Sequence, residues 1–160
     1  MYNTPKQQKV LVVEDDVDIQ QILCFFLKRV GFDALGISGG QQALEVIPEY
    51  HPDLIILDLM MSPVTGWDVL HSLRDKQLLP ALPIILLTAL VQLSEQLQGF
   101  EEGAVEYLTK PTQPSIIVER VQTLLSLSVE QRSLLQHKRI DEQRKMLERM
   151  NSAKKDEFVY

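Results

Sequence analysis

Three short runs of large aliphatic residues dominate the hydrophobic pattern of the chain. Each has four consecutive members, and the runs are Val10–Val13, Leu54–Leu57 and Ile84–Leu87. Such a run is too short for an independent helix and fits a strand that is covered on both faces, as in a parallel sheet. Two weaker runs, Phe32–Ile37 and Val105–Thr109, complete a set of five predicted strands.

Between the runs, apolar residues recur at three- and four-residue spacing, which is the period of a helix with one buried face. The clearest case covers Ile19 to Val30, and Gly31 is well placed to end that helix. A short helix from Gln41 to about Ile47 should end or kink at Pro48. Two further helices are predicted for residues 67–76 and 94–102.

Strand and helix therefore alternate five times with short links. This alternation is typical of an α/β protein with a doubly wound parallel sheet and right-handed crossovers. The carboxyl ends of the strands share one edge of such a sheet, and ligands bind there. We expect residues 9–126 to form this domain, after a short N-terminal arm of residues 1–8.

The last part of the chain, residues 115–160, contains neither glycine nor proline and is predicted to be helical. Its beginning is apolar enough to pack on the sheet. Residues 127–160 form a helical linker in which Ile140 and Leu147 lie one heptad apart, but Gln136 and Gln143 interrupt this seam. Self-association of two chains through the linker and a single solvated helix are both left open.

Charge is unevenly distributed along the 160 residues, which carry a net charge of −6. Residues 1–129 hold 8 Lys and Arg against 16 Asp and Glu, whereas residues 130–160 hold 8 against 6. The acidic first part argues against a nucleic-acid surface, because phosphate contacts need clustered Lys and Arg. We therefore expect no nucleic-acid partner.

No apolar run approaches the roughly 20 residues of a membrane span, and the first residues lack the apolar core of a secretory signal. The chain is expected to be cytoplasmic, without a membrane partner. Its single cysteine, Cys24, lies in a predicted amphipathic helix and is interpreted as a small buried residue.

Polar residues stand at the ends of four predicted strands. They are Glu14 and Asp15 at the first, Asp58 at the third, Thr88 at the fourth and Lys110 at the fifth. A parallel sheet brings them to one edge, where the three carboxylates would repel one another unless a cation offsets their charge. Mg2+ prefers hard oxygen ligands and keeps part of its shell for water and phosphate oxygens. The pattern therefore predicts a Mg2+ site.

An aspartate carboxylate can also act as a nucleophile towards phosphorus and form an acyl phosphate. Phosphoryl transfer needs mainly alignment and charge neutralisation, for which Mg2+ and the Lys110 ammonium are suited. The Thr88 hydroxyl offers a hydrogen bond to the same oxygens. Tyr107 lies on the opposite face of its strand from Lys110, where it is either a switch residue that responds to Thr88 or a plain half-buried aromatic.

These residues and their neighbours form four ordered motifs. They are Val12-Val13-Glu14-Asp15-Asp16, Leu57-Asp58-Leu59-Met60-Met61 with Gly66, Leu87-Thr88-Ala89 and Lys110-Pro111. Over about residues 8–126 the chain resembles the receiver (response regulator) domain of two-component signalling. The resemblance implies a flavodoxin-like five-stranded sheet of order 2-1-3-4-5.

The resemblance also implies roles for particular residues. Asp58 would accept a phosphoryl group from the phosphohistidine of a histidine kinase or a phosphotransfer protein. Asp15 and Asp58 would ligate Mg2+ directly, and Glu14 mostly through water. The backbone carbonyl of Met60 would be the third protein ligand.

Further implied roles concern the fourth and fifth strands. Thr88 and Tyr107 would form a conformational switch pair. Lys110 would pair with the phosphoryl group, and a cis peptide bond would join it to Pro111. The domain would then be a phosphoacceptor with at most slow self-dephosphorylation rather than an enzyme.

The chain departs from the family pattern near Asp58. The usual Met-Pro after the phosphorylated strand reads Met61-Ser62-Pro63 here. Met60 and Leu90, two residues after Asp58 and Thr88, are apolar where polar residues help to position a hydrolytic water in relatives, which predicts a long-lived acyl phosphate. The rival readings are an aspartate-nucleophile phosphatase, which would need an acid in place of Met60, and a non-phosphorylated interaction module.

The run Met150–Tyr160 resembles the segment that precedes the phosphorylated histidine box of sensor kinases, which is usually reached through a dimeric helical linker. The resemblance implies that the chain is the N-terminal part of a hybrid histidine kinase. No such box follows within the 160 residues, so no kinase activity is expected of them.

Overall fold

The computed structural model describes residues 6–79 and 81–157. Five strands alternate with five helices, and a sixth helix follows. The strands are β1 (Lys9–Val13), β2 (Asp33–Ile37), β3 (Leu54–Leu57), β4 (Ile84–Thr88) and β5 (Glu106–Thr109). The helices are α1 (Val17–Arg29), α2 (Gly40–Tyr50), α3 (Gly66–Asp75), α4 (Leu93–Glu101), α5 (Pro114–Ser126) and α6 (Val129–Glu157).

All five strands are parallel, in the order β2-β1-β3-β4-β5. The predicted α/β fold with a flavodoxin-like sheet of order 2-1-3-4-5 is therefore confirmed. The three central strands are those with uninterrupted aliphatic runs, and every residue of β3 and β4 is buried. Their composition follows from their position, because a strand with helices on both faces has no side that meets solvent.

Helices cover both faces of the sheet and create two hydrophobic cores. One core lies under α1 and α5, where Leu27 and Val121 are fully buried. The other lies under α2, α3 and α4, where Ala43, Val69 and Phe100 pack against the strands. Because the strands are all parallel, the loops that follow β1, β3, β4 and β5 share one edge of the sheet.

The first helix begins at Val17, two residues before the predicted Ile19, and ends just before Gly31 as predicted. The Asp16 side chain caps α1 by accepting hydrogen bonds from the first backbone N–H groups. Gly31 follows the helix with a φ of 102°, a conformation that glycine adopts at little cost. Cys24 is buried, as expected, and burial raises the pKa of its thiol.

The second helix is longer than predicted. It continues through Pro48 to Tyr50 instead of ending near Ile47. Proline removes one helical hydrogen bond, which leaves the carbonyl of Leu44 without its usual partner. Pro48 lies on the exposed side of the helix, so water can satisfy this carbonyl and the helix continues.

The third helix starts at a close approach between two segments of backbone. A Cβ atom on Gly66 would collide with the backbone of Asp58 and Leu59. Thr65 and Asp68 cap the helix reciprocally, since each side chain accepts a hydrogen bond from the other's backbone N–H. The loop after β3 is thus held by packing at one end and by hydrogen bonds at the other.

The chain reverses direction between α5 and α6. Leu127 is extended, with a ψ of 148°, and Ser128 and Gln131 form a reciprocal cap at the start of α6. Arg132 holds the reversal, because its guanidinium donates to three carbonyl oxygens, including those of Leu127 and Ala81. The sixth helix therefore packs along α4 instead of continuing α5.

The predicted heptad seam of the linker faces its own domain. Ile140 packs on the core that lies under α4, and Leu147 is partly buried. Association of two chains through residues 127–160 stays a prediction. Among the described residues, no helix has both the length and the apolar character needed to cross a membrane.

Some predictions fall on positions outside the described residues. These are residues 1–5 of the predicted N-terminal arm and residues 158–160 of the kinase-like run; Pro80, which with Pro83 predicts a loop between the helix at residues 67–76 and the run Ile84–Leu87, also lies outside them.

Candidate functional site

Asp58 follows β3 directly and lies at the centre of a group of charged side chains. It is buried, with 3% of its surface exposed. Its backbone N–H donates to the carbonyl of Val13 in β1 at 3.0 Å, so the sheet fixes its position. Its Oδ1 accepts a hydrogen bond from the Met60 N–H at 3.0 Å, and its Oδ2 accepts one from Lys110 Nζ at 2.9 Å.

The Lys110 ammonium lies between two carboxylates. Its Nζ is 2.8 Å from Glu14 Oε2 and 2.9 Å from Asp58 Oδ2. Burial alone would lower the pKa of Lys110, but the hydrogen bonds and charges of the two acids outweigh burial and raise this pKa above its usual value. Lys110 is therefore a cation throughout the neutral range, and both acids share its charge.

The two residues after β1 supply the other carboxylates of the site. Glu14 is buried and Asp15 is exposed. Burial raises the pKa of Glu14 above its usual value, although hydrogen bonds, first that from Lys110, act in the opposite direction. One carboxylate oxygen from each of Glu14, Asp15 and Asp58 lies within 4.8 Å of the others.

Three carboxylates at this separation, one of them open to solvent, are the kind of donor set that Mg2+ uses. The ion takes oxygen ligands and retains waters, and Asp15 provides an exposed side for them. The residues present therefore fit the predicted ion.

Thr88 and Tyr107 are linked through one residue of the loop after β4. Thr88 is fully buried, and its hydroxyl oxygen accepts a hydrogen bond from the Leu90 N–H at 3.4 Å. The Tyr107 hydroxyl donates to the Leu90 carbonyl at 2.7 Å. Burial raises the pKa of Tyr107, so its phenol is a neutral donor at ordinary pH. The role of the two residues as a switch pair stays a prediction.

The loop after Asp58 combines exposed and buried residues. Met60 is 55% exposed, whereas Met61 is buried. The peptide bond between Ser62 and Pro63 is cis, and so is the bond between Lys110 and Pro111 that the resemblance implied. The unusual Ser62-Pro63 sequence lies in the loop between β3 and α3. Gly66, at the end of this loop, packs against the backbone of Asp58.

One supporting residue of the site has no signal in the sequence. The Gln20 side-chain amide of α1 donates to the backbone carbonyl of Glu14 at 2.9 Å and to Ser38 Oγ at 3.1 Å. Gly36 leaves room for this side chain, because a Cβ there would collide with it. Gln20 thus holds the backbone from which Glu14 extends.

A second charged group lies in β5, away from the Asp58 cluster. Glu106 is buried, with 3% of its surface exposed, and its Oε2 contacts Arg120 of α5 at 2.6 Å and Arg139 of α6 at 2.8 Å. An acid within a predicted buried strand was a signal that a cation must be near, since an unpaired buried charge is costly. The sequence did not show which cation it would be.

Comparison with known protein families gives a match over most of the domain. Residues 10–122 match the family described as Response regulator receiver domain. This range begins in β1 and ends within α5, so it includes all four motifs of the site.

Curated relatives match the same part of the chain. The Probable transcriptional regulator ycf27 of Porphyridium aerugineum is 36% identical over 120 residues, which are 75% of this chain and 49% of that protein. The DNA-binding response regulator MtrA of Mycobacterium leprae is 39% identical over 119 residues, which are 74% of this chain and 52% of that protein. The chain therefore spans about half the length of the curated relatives that it matches.

Two solved structures with a similar fold are receiver domains. The receiver domain of the Francisella response regulator 1452 has a TM-score of 0.71 and 32% identity, and the match covers 75% of this chain and 98% of that one. The BeF3-activated DrrB receiver domain has a TM-score of 0.68 and 30% identity, with 76% and 100% covered.

Proposed function

Because the chain belongs to the response regulator receiver domain family, we propose that it is a phosphoacceptor that takes a phosphoryl group on Asp58. The donor would be the phosphohistidine of a histidine kinase or a phosphotransfer protein. The observation that carries the proposal is the buried Asp58 carboxylate, which Lys110 holds at 2.9 Å beside the carboxylates of Glu14 and Asp15.

The chain's own residues are suited to this transfer. One Asp58 oxygen forms a bond to phosphorus while the bond from phosphorus to the donor imidazole nitrogen breaks. The Met60 N–H donates a hydrogen bond to Oδ1 of this carboxylate, which orients the carboxylate for the attack. Lys110 stays charged and can pair with the oxygens of the transferred group, and the Thr88 hydroxyl can donate to them.

The Glu14, Asp15 and Asp58 carboxylates, with the Met60 backbone carbonyl, would hold Mg2+. When bound, the ion supplies positive charge against the oxygens of the phosphoryl group. The acidic cluster supports this assignment, because its oxygens lie within 4.8 Å of one another. Localisation in the cytoplasm, where such donors are found, is part of the same proposal.

We also propose that the acyl phosphate is long-lived and that the chain has no enzymatic turnover beyond slow self-dephosphorylation. Met60 is 55% exposed beside Asp58, and its apolar side chain has no group to activate water. Leu90 likewise offers only its backbone to Thr88 and Tyr107. A half-life of seconds after removal of the phosphoryl donor would count against this part.

The wider context that we propose is a hybrid histidine kinase without a nucleic-acid surface in residues 6–157. The basic excess of the chain lies in residues 130–160, which contain four arginines. Three of them, Arg132, Arg139 and Arg144, contact the domain, and the five other basic residues of this segment are interspersed with six acidic ones, which argues against a clustered basic patch. DNA binding is in the name of MtrA, a protein about twice the length of the matched segment.

The proposal is tested with acetyl phosphate and Mg2+, followed by intact mass measurement of the full chain. We expect a gain of one phosphoryl group in the wild type and none in Asp58→Asn. The exposed acid Asp75 provides the matched control, because Asp75→Asn should gain the group normally. No gain in the wild type favours a non-phosphorylated module, and an equal gain in Asp58→Asn places the phosphoryl group elsewhere; either result contradicts the proposal.

A further inference from the structure

The sixth helix contacts the domain through side chains that recur every three or four residues along one of its faces. Gln136 donates to the Phe100 carbonyl at 2.7 Å, and Gln143 donates to Gln96 at 3.4 Å. Phe100 is near the end of α4 and Gln96 is nearer its start, so the two helices are antiparallel. Since α6 begins at the amino-terminal edge of the sheet, it runs towards the edge that carries Asp58.

Arg139 is the strongest anchor of this face. It pairs with the buried Glu106 carboxylate at 2.8 Å, and its guanidinium lies over the Phe100 ring at 5.8 Å. Glu106 keeps a second cation, Arg120 of α5, at 2.6 Å. Loss of the Arg139 contact would therefore leave Glu106 paired, so α6 can separate from the domain without leaving an isolated buried charge.

The part of α4 that α6 contacts lies next to Tyr107. The Phe100 and Tyr107 rings lie 6.3 Å apart, and Gly99 lies directly against the Tyr107 ring. The Tyr107 hydroxyl bonds to Leu90, which also bonds to Thr88. A continuous series of contacts therefore joins Thr88, which ends β4 at the same edge of the sheet as Asp58, to the surface on which α6 packs.

We propose that α6 docks reversibly on α4 and β5, and that phosphorylation of Asp58 weakens this docking. The inference rests on the proposed phosphoacceptor function. In the docked arrangement the Thr88 hydroxyl oxygen is bonded to the Leu90 N–H. A phosphoryl group on Asp58 draws the Thr88 hydroxyl towards its oxygens, which disturbs Leu90, then Tyr107, and with them the α4 surface to which α6 is fitted.

The interface between α6 and the domain contains buried polar atoms that lack hydrogen-bond partners, which weakens the docking of α6. Nε of Arg139 and Oε1 of Gln143 are buried without a hydrogen-bond partner among the described residues. A buried polar atom without a partner costs free energy. Docking is therefore less stable than its ion pairs suggest, and a small change in α4 can reverse it.

The first test is hydrogen exchange of the full chain, with and without Mg2+ and beryllofluoride. We expect the amides of residues 136–150 to exchange several-fold faster with the phosphoryl mimic, because a helix that leaves its packing surface frays. The Asp58→Asn chain should show no such change. Unchanged or slower exchange in a wild type that demonstrably binds the mimic overturns the inference.

The second test uses the reciprocity of linked equilibria: the factor by which the mimic weakens docking equals the factor by which docking lowers affinity for the mimic, so a variant that docks less binds the mimic more tightly. Arg139→Gln and, as a milder variant, Gln143→Ala should bind beryllofluoride at least about fivefold and about twofold more tightly, respectively, with unchanged helix content by circular dichroism. Arg149→Gln, an exposed arginine near the end of α6, is the matched control and should bind as the wild type does.

The two proposals fail in different ways. If the wild type takes no phosphoryl group on Asp58, the proposed function fails, and the coupling fails with it. If Asp58 is phosphorylated normally while Arg139→Gln and Gln143→Ala bind beryllofluoride as the wild type does, the phosphoacceptor stands and the coupling to α6 is wrong.

Discussion

Lys110 balances two acids that would otherwise repel each other, and this balance can be measured. Lys110→Met leaves Glu14 and Asp58 without their cation. We expect the free energy of unfolding to fall by about 2 kcal/mol in the absence of divalent ions, less than the roughly 3–5 kcal/mol for a fully buried pair because the lysine side chain is 21% exposed. Mg2+ should recover part of the loss in urea titrations.

The matched control for this change is Lys138→Met in α6. Lys138 forms an exposed pair with Glu142 one helical turn away, at 4.0 Å. Pairs of this kind contribute roughly 0.3–0.5 kcal/mol, and Mg2+ should make no difference to this variant. Equal losses in the two variants would mean that the charge balance at Asp58 contributes no more to the free energy of unfolding than an exposed ion pair does.

Glu14 makes the site sensitive to pH. Burial raises its pKa above the usual 4.5, so folding favours the neutral form. Its contribution to stability is present below the unfolded value and is lost as pH rises through the folded value. Glu14→Gln stays neutral, so we expect it to be more stable than the wild type near pH 7 without divalent ions, and the difference to vanish as the pH falls to the unfolded value.

Urea midpoints across this pH range measure the effect. The exposed Glu49→Gln variant of α2 serves as the control and should have a urea midpoint close to that of the wild type near pH 7. A Glu14→Gln chain that is less stable than the wild type at neutral pH would show that the Lys110 contact outweighs burial.

At this scale the sequence predicted the cluster of charged residues and missed their supports. Glu14, Asp58 and Lys110 could be placed together because each stands at the end of a strand in a parallel sheet. Gln20 could not, since a glutamine on a helix carries no signal of the backbone carbonyl that it will bind. The contacts of Leu90 with Thr88 and Tyr107 could not be predicted either, because Leu90 makes them with its backbone atoms.

Among the elements, the loop between β3 and α3 depends most on a single residue. Gly66→Ala would place a Cβ against the Asp58 backbone, which belongs to the sheet and cannot give way easily. We expect a loss of about 2–3 kcal/mol in the free energy of unfolding and weaker binding of beryllofluoride. Gly39→Ala is the control, because its Cβ would meet only the Gln42 side-chain oxygen at 3.8 Å, and it should cost less than about 1 kcal/mol.

Elements whose position is set by apolar burial were the predictable ones. The aliphatic runs located β1, β3 and β4, and helical spacing located α1 and α3. The path of α6 could not be predicted, because the short seam of Ile140 and Leu147 does not show which surface it packs on, and the polar contacts of Arg139 that fix the position leave no sequence signal. The continuation of α2 past Pro48 was missed because it depends on which side of the helix meets water.

For the molecule as a whole, Arg132 determines where α6 goes. Arg132→Ala removes the donor from three carbonyl oxygens at the reversal after α5. We expect a loss of about 2–4 kcal/mol in urea unfolding, because hydrogen bonds from a charged donor are among the stronger ones and water replaces them only in part. Arg149→Ala should change stability by less than about 0.5 kcal/mol; a similar effect of both would show that the reversal does not depend on Arg132.

The polar character of the contact between α6 and α4 also affects how the protein behaves in solution. Helices that separate from an apolar groove expose a sticky surface and invite aggregation. Here arginine, glutamine and glutamate side chains, which water solvates well, surround a small apolar contact that includes Ile140 and Phe100. The exposed pair of Arg144 and Glu101 would weaken with added salt, whereas Arg139 and the buried Glu106 are shielded from it. The helix could therefore leave and return many times without loss of soluble protein.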